Sequence, residues 1–249
     1  MCKLGVVFYF CLKESFVFYR LLALLVFATS SCATQGVSVN GVPFDQVPMY
    51  GGLDRNTNPT LRAADEKLIQ DTTQHYGSRE KASASFTDTA FNYYRQGNVD
   101  FAMRRFNQAW LMNPNNPEVY WGFASVLHDQ GKFCDGLKLL EIGLSKGPIQ
   151  KGYMPDHAVL YAGCARHGQG ISLKQRSDFL EKSTEIFAAA ERDSEVPKPY
   201  LYFQWARTHY ALGEYTSAWE KIKEYRKYTS NPVDDKLLTR LSEKLPEPK

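Results

Sequence analysis

Five cysteines and five histidines are the residues of this 249-residue chain whose types could support redox or metal chemistry. Cys134 and Cys164 are a candidate disulfide if the chain enters an oxidising compartment, and two buried thiols are the alternative. Cys164 and His167, with His157 upstream, supply too few ligands at the spacing of a zinc site. We therefore predict no metal site and no other cofactor.

The sequence also lacks the motifs that usually carry catalysis. It contains no phosphate-binding loop, no His-Glu-x-x-His helix and no Gly-x-Ser-x-Gly elbow. Acidic pairs such as Asp234 with Asp235 are explained by the positive end of a helix. We expect a protein that is not an enzyme, and the alternative is a set of catalytic partners that are distant in sequence and converge in space.

The strongest pattern is a repeat of 34 residues. Gly97 and Gly131 are separated by that distance, and so are Pro114 and Pro148. Apolar residues recur at i, i+3, i+4 and i+7 from Phe86 onward, which predicts a helix with one buried face that ends at the first of these glycines. A second helix follows and ends near the first of the prolines. The unit that repeats is therefore a pair of helices.

These residues resemble the tetratricopeptide repeat (TPR) family, whose unit has this length and consists of two helices. The resemblance is carried by residues 93–98 (YYRQGN), followed by Ala102, Phe106, Ala109 and Pro114. It implies an all-α fold, a TPR-type solenoid of helical hairpins with three clear repeats and one divergent repeat. Within a domain covering residues 59–249, the repeats are expected at about residues 83–116, 117–150, 155–198 (the divergent one) and 199–232.

Helices at both ends are expected to cover this stack, because a terminal repeat otherwise exposes an apolar face. Asn58 and Pro59 should open an N-terminal packing helix that ends at Gly77. Asn231 should cap a C-terminal helix over residues 232–245, with Pro232 at its first position.

In the TPR family the first helix of each hairpin lines a concave groove, so the resemblance implies which residues form a groove here. They are Tyr94, Arg95, Trp121, His128, Tyr200, Arg207 and Tyr210. The same helix faces also carry Thr87, Phe91, Ser125, Asp129 and Phe203. Aromatic rings beside arginine favour peptide binding because both offer a large contact area with a polar tip. For Phe91 and Phe203, packing against a neighbouring repeat is the alternative. The Lys and Asn set with which some family members hold a terminal carboxylate is absent, so we expect an internal peptide segment or a folded partner.

The N-terminus has the pattern of an export signal over residues 1–31. Lys13 and Arg20 precede an apolar run over residues 21–28, which is shorter than the about 20 residues that span a bilayer. The small residues before Cys32 resemble a bacterial lipobox, which implies a lipid on the thiol of that cysteine. Ala33 then implies the outer membrane, with the chain facing the periplasm. Cleavage without lipid and retention of a long anchor are the alternatives.

Residues 32–58 are rich in Gly, Pro, Ser, Thr and Asn and predict an extended tether, part of which is apolar enough to pack on the repeats. Removal of residues 1–31 would lower the formal net charge from +3 to +1, because that segment holds three of the 30 Lys and Arg and one of the 27 Asp and Glu. A near-neutral chain with no basic run argues against nucleic acid as a partner. We expect a lipid-anchored scaffold or adaptor that binds protein partners in the assembly of the bacterial envelope or of secretion or pilus machinery. The alternative is a periplasmic lipoprotein that binds a glycan or small ligand, or acts as an enzyme.

Overall fold

A computed structural model describes residues 38–39, 42–43, 45–47, 49, 55–150 and 152–248, all within one compact unit, Gly36–Lys249. These residues are predominantly helical, which confirms the expected all-α class. A hairpin of two-residue strands, β1 (Ser38–Val39) and β2 (Val42–Pro43), and a short 3-10 helix, Arg55–Thr57, come first. The α-helices of the described residues are then α1 (Pro59–Tyr76), α2 (Arg79–Arg95), α3 (Val99–Met112), α4 (Pro117–Asp129), α5 (Phe133–Lys146), α6 (Tyr153–His167), α7 (Leu173–Arg192), α8 (Lys198–Leu212), α9 (Tyr215–Tyr228) and α10 (Asp235–Lys244).

Eight of these helices pack as consecutive pairs. Helix α2 packs on α3, α4 on α5, α6 on α7 and α8 on α9. Within the described residues, the first helix of each pair also contacts the first helix of the next pair, and the second helix contacts it as well. At the two ends, α1 lies against α2 and α3, and α10 lies against α9. Each pair therefore rests on the next one along the chain.

The turn inside the pair has the same geometry in three of the four pairs. Gly97, Gly131 and Gly213 have φ angles of 74°, 73° and 83°, which favour glycine because it has no Cβ. In each turn, the next backbone N–H donates to the carbonyl five residues earlier, which satisfies an end group of the first helix. These bonds join Asn98 to Tyr93 (3.0 Å), Lys132 to Leu127 (2.9 Å) and Glu214 to His209 (2.9 Å). The pair α6–α7 differs, since Ser172 and Gln175 form a capping box after a longer loop.

Small residues lie where the helices of a pair approach most closely. Ala90, Ala102 and Ala124 are fully buried, and a Cβ on Gly136 would come within 3.1 Å of the carbonyl oxygen of Ala124. Larger side chains here would hold the helix axes apart. Ala90 and Ala124 are 34 residues apart, as are Ala102 and Gly136, so small residues recur at the repeat period where the helices cross.

The structure confirms the predicted caps of α1 but not the predicted cap of α10. The side chain of Asn58 accepts hydrogen bonds from Thr60 N and Leu61 N, and Gly77 ends α1 with a φ of 81°, as expected. The predicted start of the last helix was wrong. Asp234, rather than Asn231, caps α10, and Pro232 lies before the helix.

The physical reason is the burial of Val233 between these two positions. This side chain is 5 % exposed and packs with Leu237 and Leu241 of α10 and with Ile222 of α9. A helix that began at Pro232 would include Val233 in its first turn, and the side chain would lose this contact. Because of this tertiary contact, the helix begins three residues later than predicted.

Part of the predicted tether is held on the helices. Asn107 of α3 is 4 % exposed, its Nδ2 donates to the carbonyl oxygen of Asp45 (2.8 Å), and its Oδ1 accepts from the backbone N–H of Met49 (3.1 Å). A buried amide bonded on both sides fixes the chain at these two residues. The predicted export signal and Cys32 lie outside the described residues. No helix in the described ranges has the length and apolar character needed to cross a bilayer.

Candidate functional site

The first helices of the four pairs, α2, α4, α6 and α8, supply the side chains of the candidate site. A spacing of four and then three residues places side chains on one face of a helix. That spacing occurs on α4 at Trp121, Ser125 and His128, and again on α8 at Tyr200, Gln204 and Arg207. The two faces turn toward each other across α6, and Tyr94 of α2 joins them.

These side chains enclose a cavity of about 70 Å³, which we call the Asp156 cavity. Its polar lining comes from Tyr94, Trp121, Ser125, His128, Asp129, Asp156, Tyr200, Gln204 and Arg207. Five of the seven groove residues expected from the sequence therefore meet at one place, although they come from three different helices.

The carboxylate of Asp156 is the centre of this cavity. Its Oδ2 accepts a 2.8 Å hydrogen bond from Nε1 of Trp121, and its Oδ1 accepts one from the hydroxyl of Tyr200. Burial raises the pKa of Asp156 above its usual value, although both hydrogen bonds favour the charged form. Burial and the nearby carboxylate of Asp156 likewise raise the pKa of Tyr200, so this phenol stays protonated as a donor.

A second carboxylate, that of Asp129, lies at the rim of the cavity. Burial opposes its charge, but hydrogen bonds from His128 and Tyr94 outweigh that effect, so the pKa of Asp129 lies below its usual value. The distance from Nδ1 of His128 to Oδ1 of Asp129 is 2.9 Å. The positive charge of Arg207 also lowers this pKa. Asp129 is thus an anion, and Asp156 is the carboxylate whose charge is less well compensated.

Arg95 and Tyr210 do not reach the Asp156 cavity. Arg95 donates to Asn92 and lines a neighbouring open cavity of about 620 Å³, which shares only Trp121 with the first. Tyr210 packs against Tyr215 of α9, with ring centroids 5.9 Å apart. It lines a cavity of about 580 Å³ near the C-terminal end of the helical unit.

The cavities nevertheless adjoin one another in a row. The Asp156 cavity shares His128, Gln204 and Arg207 with a third cavity of about 150 Å³ between α6 and α8. That cavity in turn shares Arg166, Ala211 and Leu212 with the one that Tyr210 lines. We call these four cavities the cavity row. The predicted groove residues are distributed along it.

Two residues of the site were not predicted from the sequence. Gln204 is buried, donates to the hydroxyl of Tyr200 (2.9 Å) and accepts from Nη1 of Arg207 (3.3 Å). Its position four residues after Tyr200 was a signal that could have identified it. Asp156 follows Trp121 by 35 residues, one more than the repeat period. Adding 34 to the position of Trp121 therefore does not identify it.

The two phenylalanines for which packing was the alternative belong mainly to the packing. The ring of Phe91 lies edge-on to Phe106 (5.0 Å between centroids) and 4.7 Å from the ring of Trp121. Phe203 lies beneath the guanidinium of Arg207, at 5.6 Å from its ring centroid. Phe203 supports Arg207, whereas Phe91 supports Trp121 and also lines the cavity of about 620 Å³.

Cys134 and Cys164 form a disulfide bond in the structure. The sequence had left two possibilities open, a disulfide or two buried thiols. The bond joins the first turn of α5 to α6 and therefore crosses from the second helix pair to the third. Within the described part of the chain, no group of three or more His, Cys, Asp or Glu side chains is arranged to hold a metal ion.

No protein-family model matches this chain, and neither a curated protein nor a solved structure is significantly similar to it.

Proposed function

We propose that this chain is a TPR-type scaffold that binds an extended segment of a protein partner along the cavity row. The observation that carries the proposal is the adjoining series of cavities to which the first helices of all four pairs contribute, with Trp121, Tyr94 and Arg207 at its middle. Such side chains combine a large contact area with a polar tip, which is typical of the residues that dominate peptide interfaces.

The arrangement of the cavities in a row favours a segment of chain over a compact ligand. Small-molecule sites are usually single pockets of about 300–1,000 Å³ that enclose the ligand. Two cavities of the row are of that size, about 580 and 620 Å³, but they lie on either side of the smaller Asp156 cavity and are connected through it. An extended peptide can place one side chain in each cavity, whereas a compact ligand would fill only one.

We propose further that the scaffold is anchored in the bacterial envelope by a lipid on Cys32. Three or more acyl chains give near-permanent anchoring, because each buried methylene contributes about 0.8 kcal/mol. The bonds of Asn107 to Asp45 and Met49 then limit the free length of the tether. The stretch between Cys32 and Asp45 spans at most about 45 Å when fully extended. In this proposal Asp45 would therefore stay within about 45 Å of the lipid anchor.

The binding proposal is tested by a photo-crosslinking amino acid at position 91, beside Trp121, in intact cells. We expect crosslinks to one linear segment of a protein partner, and a synthetic peptide of that segment should bind the purified full chain. Trp121→Ala with Arg207→Ala should abolish both signals. The matched control is Tyr228→Ala with Arg226→Ala, an exposed aromatic and arginine on α9 away from the row, which should bind as the wild type does.

Two results would count against this function. Equal loss of binding in the control pair would mean that the row is not the binding surface. Binding of muropeptides at the row, with no crosslinked protein, would favour the glycan-binding alternative. The anchor is tested separately by palmitate labelling of the wild type and of Cys32→Ser, and unchanged labelling of the variant would contradict it.

A further inference from the structure

The Asp156 cavity has the walls of a site for an organic cation. Tyr94, Trp121 and Tyr200 line it from three helices, α2, α4 and α8. Several aromatic side chains around one cavity are typical of sites for ammonium groups. Here the indole N–H of Trp121 and the hydroxyl of Tyr200 point at Asp156, so these two rings border its carboxylate. No other cavity described above is lined by three such rings from three helices.

The carboxylates of the cavity have capacity left for a charged donor. Both hydrogen bonds to Asp156 come from neutral groups, an indole N–H and a phenol O–H. Each carboxylate oxygen can accept two hydrogen bonds, so one acceptor position remains on each. In the described part of the chain, no lysine or arginine forms an ion pair with Asp156. A cation entering the cavity would therefore compensate a charge that the protein leaves uncompensated.

Arg207 does not fill this role. Its guanidinium donates to Gln204 and lies over the ring of Phe203, and its charge acts on Asp129. The other basic group of the lining, His128, is hydrogen-bonded to Asp129 and is charged only when protonated, so neither basic side chain forms an ion pair with Asp156. Burial raises the pKa of Asp156, which is the direction expected for a carboxylate that lacks a cationic partner.

The cavity of about 620 Å³ next to the Asp156 cavity is also lined by more acidic than basic side chains. Asp88 and Glu118 line it opposite the single cation Arg95. Burial raises the pKa of Glu118, and the charge of Asp88 raises it further. A segment that carries positive charge is thus complementary to this half of the cavity row.

We propose that the Asp156 cavity holds the ammonium group of a lysine side chain that belongs to the segment bound along the row. The inference rests on the proposed function. A cavity of about 70 Å³ accommodates a terminal methylene and its ammonium group. The three N–H donors of the ammonium then face Asp156 and Asp129, and the aromatic rings enclose the methylene.

The test uses the full chain in detergent with 5-fluorotryptophan at its four tryptophans, followed by fluorine NMR. The resonance of Trp121 is assigned by its loss in Trp121→Phe. Butylammonium, which represents a lysine side chain, should shift this resonance saturably, whereas butanol should not. Asp156→Asn should weaken the binding at least about tenfold, because hydrogen bonds to charged groups are the strong ones.

The control is Glu141→Gln, since Glu141 is a carboxylate that also accepts from a tyrosine hydroxyl, that of Tyr161 (2.6 Å), but lies outside the row. It should leave the affinity unchanged. If Asp156→Asn does not fold, the proposal is tested with Asp129→Asn, which replaces an exposed residue at the rim of the cavity. Equal responses to butanol and butylammonium, or wild-type affinity in Asp129→Asn and Asp156→Asn, would overturn the proposal.

A peptide experiment separates this inference from the function on which it rests. In the segment identified by crosslinking, each lysine is replaced by norleucine, which keeps the methylenes and removes the charge. If one replacement weakens binding to the wild type but not to Asp156→Asn, the lysine site is supported. If the segment binds and no replacement matters, the lysine site is wrong and the scaffold function stands. If butylammonium binds and no peptide does, the scaffold function fails instead.

Discussion

The ring of Phe106 occupies the space where a side chain at position 122 would lie. A Cβ on Gly122 would be 2.0 Å from Cε1 of that ring, far inside van der Waals contact. We expect Gly122→Ala to lower the free energy of unfolding by about 1–3 kcal/mol, because a buried ring and two packed helices must shift. Urea unfolding followed by far-UV circular dichroism measures this. The loss should exceed the gain of about 1 kcal/mol that alanine brings to a helix.

Gly152→Ala is the control for this prediction. Its Cβ would meet Cη2 of Trp121 at 3.5 Å, which is an ordinary contact, and Gly152 has helical backbone angles. Its effect should stay within about 0.5 kcal/mol. If both variants lost the same stability, the close approach of Phe106 would not be the cause.

The disulfide between Cys134 and Cys164 should account for a measurable part of the stability. The bond closes a loop with a sequence separation of 30 residues, and closing a loop of this length lowers the entropy of the unfolded chain by an amount worth about 3.6 kcal/mol. Dithiothreitol should therefore shift the urea midpoint of the wild type downward. In the double variant Cys134→Ala with Cys164→Ala, the urea midpoint should already be low without dithiothreitol and should not change when dithiothreitol is added. A wild type that is equally insensitive would contradict the prediction.

Asn107 should govern the attachment of the segment around Asp45 and Met49. Asn107→Ala removes one donor and one acceptor, each worth about 1 kcal/mol, and leaves two backbone groups unpaired. We expect the amide of Met49 to exchange with solvent at least about tenfold faster in this variant, with little change in the helices. Hydrogen exchange with mass spectrometry measures both regions. Asn92→Ala, at an exposed position of α2, should leave the exchange of Met49 as it is.

His157 should make the protein less stable in acid. Burial, and next the charge of Lys182, lowers the pKa of His157 from 6.5 to about 4. Between these two values the unfolded chain binds a proton that the folded chain does not, so stability is complete above pH 6.5 and is lost as the pH falls toward 4. The expected loss is about 2–3 kcal/mol. Within the described residues, the buried Nε2 of His157 also has no hydrogen-bond partner.

His157→Phe tests this, because phenylalanine keeps a ring beside Tyr161 and does not titrate. Urea unfolding at pH 7 and at pH 4.5 gives the change in the free energy of unfolding for both proteins. The change should be smaller in the variant by most of the expected 2–3 kcal/mol. An identical change in the two proteins would assign the acid sensitivity to other groups.

The helices and their turns could be predicted because they depend on local chemistry. Asn58 and Gly77 cap a helix through their own side chain and backbone, and the glycines at 97 and 131 end helices through their φ angles. The start of α10 could not be predicted, because it depends on the burial of Val233 against another helix. The start of α2 was placed at Phe86 instead of Arg79, since its first turns are polar.

The candidate site was predicted in part for a related reason. Trp121, Tyr94 and Arg207 follow from a helical face repeated at a fixed period. Asp156 departs from that period by one residue, and an acid in the first turn of a helix has an ordinary explanation in the helix dipole. Only the positions of the donors on α4 and α8 identify it as the centre of the cavity.

The bond between Cys134 and Cys164 joins the two middle helix pairs covalently, and no disulfide among the described residues reaches the outer two pairs. In stacked helical units, fraying starts at the termini and moves inward pair by pair. Trp121 and Asp156 belong to the two joined pairs, whereas Tyr94 and Tyr200 lie in the outer pairs. Fraying from either terminus would thus strip aromatic walls from the cavity before it separates the tryptophan from its carboxylate, so the hold on a ligand should weaken in steps and not all at once.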